Sequence, residues 1–306
     1  MDFYQIPKSI LRITLDTTKN MKHWFKKSAA IAMSAVMALS LAACASSKPA
    51  TPEEVLQAAS EKVSAAKSMT CETTTQMKMS AGGQSIQMTM TGELETTIDP
   101  VAMHMDMTTD MGAMGSMNVK MYMKEENGAY SLYTGMDDGS GNITWTAQTM
   151  ENVDQLKQYD TQATMELYLS TGSSFQEAGT ETVEGKEAVR YDGVITNDSF
   201  NELFESTGIL DQFSSLGVNE ETAKSMLTDL GDLPLSIWVE KDSGLPVKYD
   251  MDMTAMMQSI MTKAMEAAGS TETITIETVH MTMLVHGIDN VESIEIPQEA
   301  LDAAAS

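Results

Sequence analysis

Methionine is the residue type here whose number and spacing could do chemistry: 29 of them stand in 306 residues. A thioether sulfur is a soft donor and suits copper(I). Met103-His104-Met105-Asp106-Met107 and Met111-Gly112-Ala113-Met114-Gly115-Ser116-Met117 have a spacing that fits such a ligand set, and His280-Met281-Thr282-Met283 adds another cluster. The competing reading is that Met replaces Leu and Val on the apolar face of strands. Strict alternation favours burial, because residues i and i+2 of a strand point to the same face. Only Met111, Met114 and Met117 fall in a Gly-rich turn where exposure is expected. A face built from Met is also flexible, polarizable and tolerant of ligand shape. It suits a cavity for an acyl chain or another hydrophobic ligand, and it equally suits a closed core.

Other chemistry finds little support. His23 lies in a basic N-terminal stretch, while His104, His280 and His286 sit in strand patterns. There is no Gly-x-Ser-x-Gly, no His-Glu-x-x-His, no phosphate loop, no calcium loop and no cysteine pairing for zinc, so neither an enzyme nor a cofactor is expected. The 44 acidic and 19 basic side chains leave a net charge of −25. Residues 1–43 hold six of the basic and two of the acidic ones, so the rest of the chain stands at −29. Such a body repels phosphate and excludes nucleic acid as a partner. It is also repelled by anionic head groups unless something tethers it. At 42% hydrophobic the chain can build a sizeable core, and its two cysteines permit no disulfide framework.

The elements that must position these residues follow from periodicity. Thr51-Pro52-Glu53-Glu54 opens a helix with a cap, a proline at the first helical position and a capping box. Val55, Ala58, Ala59, Val63 and Ala66 give that helix one apolar face. From Met69 the chain alternates with period two. Met69, Cys71, Met77 and Met79 share one side, followed after Ala81-Gly82-Gly83 by Ile86, Met88, Met90 and Leu94. After Asp99-Pro100 come Val101, Met103, Met105 and Met107, and then Met117, Val119, Met121 and Met123. This is an antiparallel meander with one apolar and one wet face. Residues 151–170 and 197–230 read as helical. Hairpins are expected around Glu184-Gly185-Lys186 and Glu240–Gly244, a Met-rich helix or loop over 255–268, and a last long strand over 274–285.

Ahead of this body, Met21-Lys22-His23-Trp24-Phe25-Lys26-Lys27 is a short basic region and Ser28–Ser40 an uncharged apolar one, too short for a permanent span. Leu41-Ala42-Ala43-Cys44 resembles the lipobox of bacterial lipoproteins. That resemblance implies that Cys44 becomes the first mature residue and carries a diacylglycerol, a lipid anchor at the extracellular face of the cytoplasmic membrane. Residues 21–43 are then the signal peptide and 44–50 the lipidated Cys with its tether, and residues 1–20 are expected to be an overextended start preceding the true one at Met21. Cys71 reads as a buried small apolar residue.

The body resembles the LolA/LppX-like superfamily of exported lipid-handling lipoproteins, among them uncharacterised Gram-positive surface lipoproteins. The likeness runs over roughly Thr51–Ala303 and rests on the lipobox, the capped helix leading into long strands, and three segments. These are Val183–Tyr191 around a Gly-Lys turn, Ile237-Trp238-Val239-Glu240-Lys241-Asp242-Ser243-Gly244-Leu245-Pro246-Val247-Lys248, and Ile294-Glu295-Ile296-Pro297 as a terminal strand. It implies one α+β domain over 51–306, a strongly curved antiparallel β-sheet (an open half-barrel) with helices packed on its concave apolar face. The expected function is non-catalytic binding of a hydrophobic or amphipathic, acyl-lipid type ligand in a Met-lined cavity. The expected lining is Met77, Met88 and Met90 from the first hairpin, Met103, Met105 and Met121 from the next two strands, and Met251 and Met253 from a late one. The alternatives are a structural or interaction lipoprotein with a closed core, with envelope partners unspecified, and copper(I) binding through the Met motifs.

Overall fold

The computed structural model describes residues 50–126, 129–137, 141–150, 175–197, 224, 225, 227–267, 269 and 273–304. Helix α1 (Pro52–Ser64) starts where the capping box places it. Thr51 Oγ1 accepts from the Glu54 amide at 3.3 Å, and Glu54 Oε2 accepts from the Thr51 amide at 2.8 Å. Strands β1 (Ser68–Ala81), β2 (Gln84–Ile98), β3 (Val101–Asp110), β4 (Ser116–Glu126), β5 (Ala129–Asp137) and β6 (Ile143–Met150) follow as a meander. Then come β7 (Gln176–Val183), β8 (Lys186–Ile195), β9 (Leu233–Glu240), β10 (Pro246–Asp252), helix α2 (Thr254–Ala267), β11 (Ile274–Ile288) and helix α3 (Gln298–Ala304). The β1–β2 turn uses Gly82 and Gly83 at φ +57° and +81°, where only glycine sits without strain.

All eleven strands form one antiparallel sheet in the order β6-β5-β4-β3-β2-β1-β11-β10-β9-β8-β7. It is curved and unclosed, with β6 and β7 as its edges, as the sequence led us to expect. The last long strand pairs with the first, Thr75 opposite Met281 and Met77 opposite Val279. Two bulges interrupt this pairing, after Thr70 and after Lys78. Each gives β11 one unmatched residue, and these, His286 and Glu277, meet Glu72 and Lys78 on the side away from the methionines.

The main core lies on the Met side. Leu56, Ala59 and Val63 of α1 pack there with Met69, Cys71, Ile237, Tyr249, Met251 and Met283. Helix α2 joins them through Met256, Met257 and Ile260. It is fastened to β11 by side chains: Thr254 Oγ1 accepts from the Val279 amide at 2.9 Å and Gln258 Oε1 from the Ile276 amide at 2.7 Å. The expected helices over 151–170 and most of 197–230, and the whole of residues 1–49, lie outside the described residues.

The opposite side departs from the wet face that alternation suggests. On β3, β4 and β5 its Ala102, Tyr122 and Tyr133 are buried, covered by Ile294 and by Ala300 of α3, with Trp145, Val291 and Leu301 around them. The Ile294–Pro297 segment, expected as a terminal strand, forms no ladder. Its burial comes from side chains docking on the aromatic rings instead. The turn that delivers it is fixed by the Lys67 amide donating to Asp289 Oδ1 at 2.6 Å and the Val291 amide to Ser68 Oγ at 3.0 Å. Sequence alternation marks Ala102 and Tyr122 as non-core because their partners lie almost 200 residues away.

Ile294→Asp places a charge in this second core. Urea denaturation is expected to show a loss of about 3 kcal/mol or more. An unchanged midpoint would mean that the C-terminal segment contributes nothing to stability.

Candidate functional site

The register assembles the Met side row by row. One row reads Leu235, Met251, Met281, Thr75, Met90 and Thr109 across β9, β10, β11, β1, β2 and β3. The row beside it continues from Tyr249 through Met283, Thr73, Gly92, Met107 and Val119 to Met136. Met77 faces Met88, Met103 faces Met123, and Met105 faces Met121. Gly92 makes room in the second row: a Cβ there would stand 2.9 Å from Thr73 Oγ1, and that hydroxyl donates to the Gly92 carbonyl at 3.4 Å.

The expected lining residues thus share one face but differ in burial. Met77, Met88, Met90, Met105 and Met121 are half-buried. Met103 and Met251 are each only 2% exposed. Met103 sits with Met123, Leu94 and Leu132, and Met251 belongs to the main core. Met253 follows β10, is half-buried against that core, and donates its amide to the Val279 carbonyl at 2.8 Å. Cys44 lies outside the described residues. Cys71 is buried and free, and burial pushes its thiol up to about 12, which makes it a poor nucleophile.

Copper ligation is disfavoured at two of its three candidate clusters. His104 turns to the side opposite Met103 and Met105, with Nδ1 3.3 Å from Glu95 Oε2 and Nε2 3.0 Å from Asp106 Oδ1. His280 does the same against Asp250 Oδ2 at 3.0 Å, away from Met281 and Met283. Alternation makes one chelate from such neighbours impossible. In the third cluster Met117 is exposed and Met111 half-buried, flanking a turn at Gly112–Met114.

The polar side holds groups that sequence reading left apart. His104 stacks on Tyr122 at 4.3 Å, and Asp106 Oδ2 accepts from Lys120 Nζ at 2.8 Å. Beside them a cavity of about 270 Å³ is lined by Asp106, Thr108, Asn118, Lys120, Gly135 and Asp137. Burial alone would raise the Asp106 carboxyl, but the hydrogen bonds of Lys120 and His104 and the charge of Lys120 hold it below its ordinary range. Further along, Trp238 lies under the cations of Lys248 (4.3 Å) and Arg190 (5.2 Å), with Glu181 accepting from its indole at 2.9 Å. Period two could place Asp106, Lys120 and Tyr122 on one side, but bringing them together needed the β3–β4 register. Among the described residues no three His, Cys, Asp or Glu side chains converge to hold a metal ion, and no helix is long and apolar enough to cross a membrane.

A family model described as a family of unknown function (DUF6612) matches residues 51–305. No curated protein matches the chain. Among solved structures it is similar to the lipoprotein LppX of Mycobacterium tuberculosis, at 10% identity over 79% of this chain and 97% of that one, with a TM-score of 0.41. It is similar to LprF of Mycobacterium bovis at 11% identity over 81% and 96%, with a TM-score of 0.43. A DUF1329 family protein of Desulfovibrio piger follows at 9% identity over 79% and 93%, with a TM-score of 0.24. Likenesses of this size leave ligand and role to be argued from the chain's own residues.

The lowered Asp106 carboxyl makes the polar network a source of acid sensitivity. Its stabilisation is complete above the ordinary carboxylate value of about 4 and is lost as pH falls through the lower folded-state value. Asp106→Asn is therefore expected to lower the urea midpoint at pH 7 and to flatten its fall on acidification. A variant with the same acid limb as the parent would show that Asp106 is not coupled to folding.

Proposed function

We propose that this chain, which belongs to the family of unknown function DUF6612, is a non-catalytic lipoprotein that holds a hydrophobic or amphipathic ligand against the Met side of its sheet. The observation that carries the reading is the set of cross-strand methionines that are half-buried rather than sealed, Met77 opposite Met88 and Met105 opposite Met121. Unbranched thioether side chains can rearrange around an acyl chain at low cost in strain. Met77, Met88, Met90, Met105 and Met121 are the contact surface in this reading, Met103 and Met251 its rigid floor, and Met253 its border with the main core.

Cys44 carries the anchor in this proposal. Its diacylglyceryl group holds the protein at the extracellular face of the cytoplasmic membrane, and the acidic body stands off anionic head groups. The full burial of Met103 and Met251 favours a second reading, a filled core in a surface protein that acts by binding envelope partners.

Two measurements test the proposal. Native mass spectrometry with lipid extraction of the purified full chain is expected to find acyl lipid, most of it lost in a Met88→Lys, Met105→Lys double variant that keeps its circular dichroism spectrum. A lipid-free parent favours the filled-core reading. A Cys44→Ser chain is expected in the medium or as unprocessed precursor. Recovery at mature size in the membrane fraction contradicts the anchor.

A further inference from the structure

The six lysines and arginines of the described strands are Lys78, Lys120, Lys124, Lys186, Arg190 and Lys248. Register and alternation put every one of them on the side away from the methionines. Lys78 pairs with Glu277 at 2.5 Å, Lys120 with Asp106, and Arg190 and Lys248 lie over Trp238. The lysines of α1 and α2 are also occupied: Lys62 donates to the Ser243 carbonyl and Lys263 to the Thr228 carbonyl.

The Met side of β1–β6 carries no formal charge among its described residues until Glu125 at the end of β4. Its polar groups are uncharged, the amides of Gln84 and Gln148 and a set of hydroxyls, with Thr73, Thr75 and Thr109 standing in the same rows as Met90 and Met107. A carboxylate or phosphate brought to this surface would lose hydration and meet no cation of the described strands, inside a body of charge −29. Ester and hydroxyl oxygens carry no such penalty and can exchange hydrogen bonds with threonine.

Resting on the carrier reading above, we infer that the Met side selects an uncharged, acylglycerol-type lipid and rejects the anionic lipid of the same chain. The test is displacement of the uncharged fluorophore N-phenyl-1-naphthylamine from the full chain by 1-oleoylglycerol and by its 3-phosphate. The neutral lipid is expected to displace the probe at a concentration lower by about ten-fold or more. Raising salt from about 0.02 M to about 0.5 M should narrow that gap through screening. Thr75→Lys, which sets a cation among the methionines, should narrow it as well, and the salt series tests the same point in the unaltered chain. Equal or better displacement by the phosphate, independent of salt, overturns this inference and leaves the carrier reading standing. No uptake of the probe, or no displacement by either lipid, removes the carrier reading itself.

Discussion

The structure depends on the strand period of two being held in phase across eleven strands. The pleat gives each strand two sides, and the register decides which sides join. A slip of one residue between β3 and β4 would bring Lys120 and Tyr122 among the methionines and turn Met121 and Met123 outward. The two bulges in β11 protect this phase. Each absorbs one unmatched residue, His286 or Glu277, on the polar side, so that Ile276 and Ile288 join Val279, Met281, Met283 and Val285 on the Met side. The lysines and arginines of the described strands and their methionines are thereby sorted to opposite sides of a single layer.

Much of this is legible in the amino-acid sequence. The capping box, the Gly82-Gly83 turn, the Glu184-Gly185 turn and the Met alternation are local signals, and local physics decides them. What is not legible is non-local. Ala102, Tyr122 and Tyr133 look like ordinary outward residues until Ile294 and Ala300 arrive over them. Ile294–Pro297 has strand composition, but a strand needs a free ladder edge, and this segment reaches an aromatic surface instead. The Glu95–His104–Asp106–Lys120 network is hidden for the same reason. Its members come from three strands, and only the pairing of β2 with β3 and β3 with β4 makes them neighbours.

The candidate site shows a finer version of the same limit. Alternation gathers all eight expected methionines on one face, but it cannot grade them. Depth depends on what the rest of the chain lays over each position. Met251 lies in the core shared with α1, and Met103 is walled by Met123, Leu94 and Leu132, while Met77 and Met88 keep part of their surface. Helix α2 is fastened by Thr254 and Gln258 bonding to the backbone of β11, so its place follows the strand and not only its own apolar stripe. Cysteine chemistry follows depth as well: Cys71 is withdrawn by burial, which raises its thiol and leaves it a poor nucleophile.

The pairing of β1 with β11 sets the order in which the chain can become whole. The strand at the middle of the sheet is among the first to emerge from synthesis, and its second neighbour is the last strand made. Strands β1–β6 can zip together through short turns, and β7–β10 lie on the far side of the gap that β11 fills. Until Ile274–Ile288 arrives, one backbone edge of β1 has no partner, and the loop to be closed spans some two hundred residues. Assembly therefore ends at the centre of the sheet rather than at its rim. A chain stopped short of β11 would hold two half-sheets with nothing to join them, each presenting an open central edge to other chains.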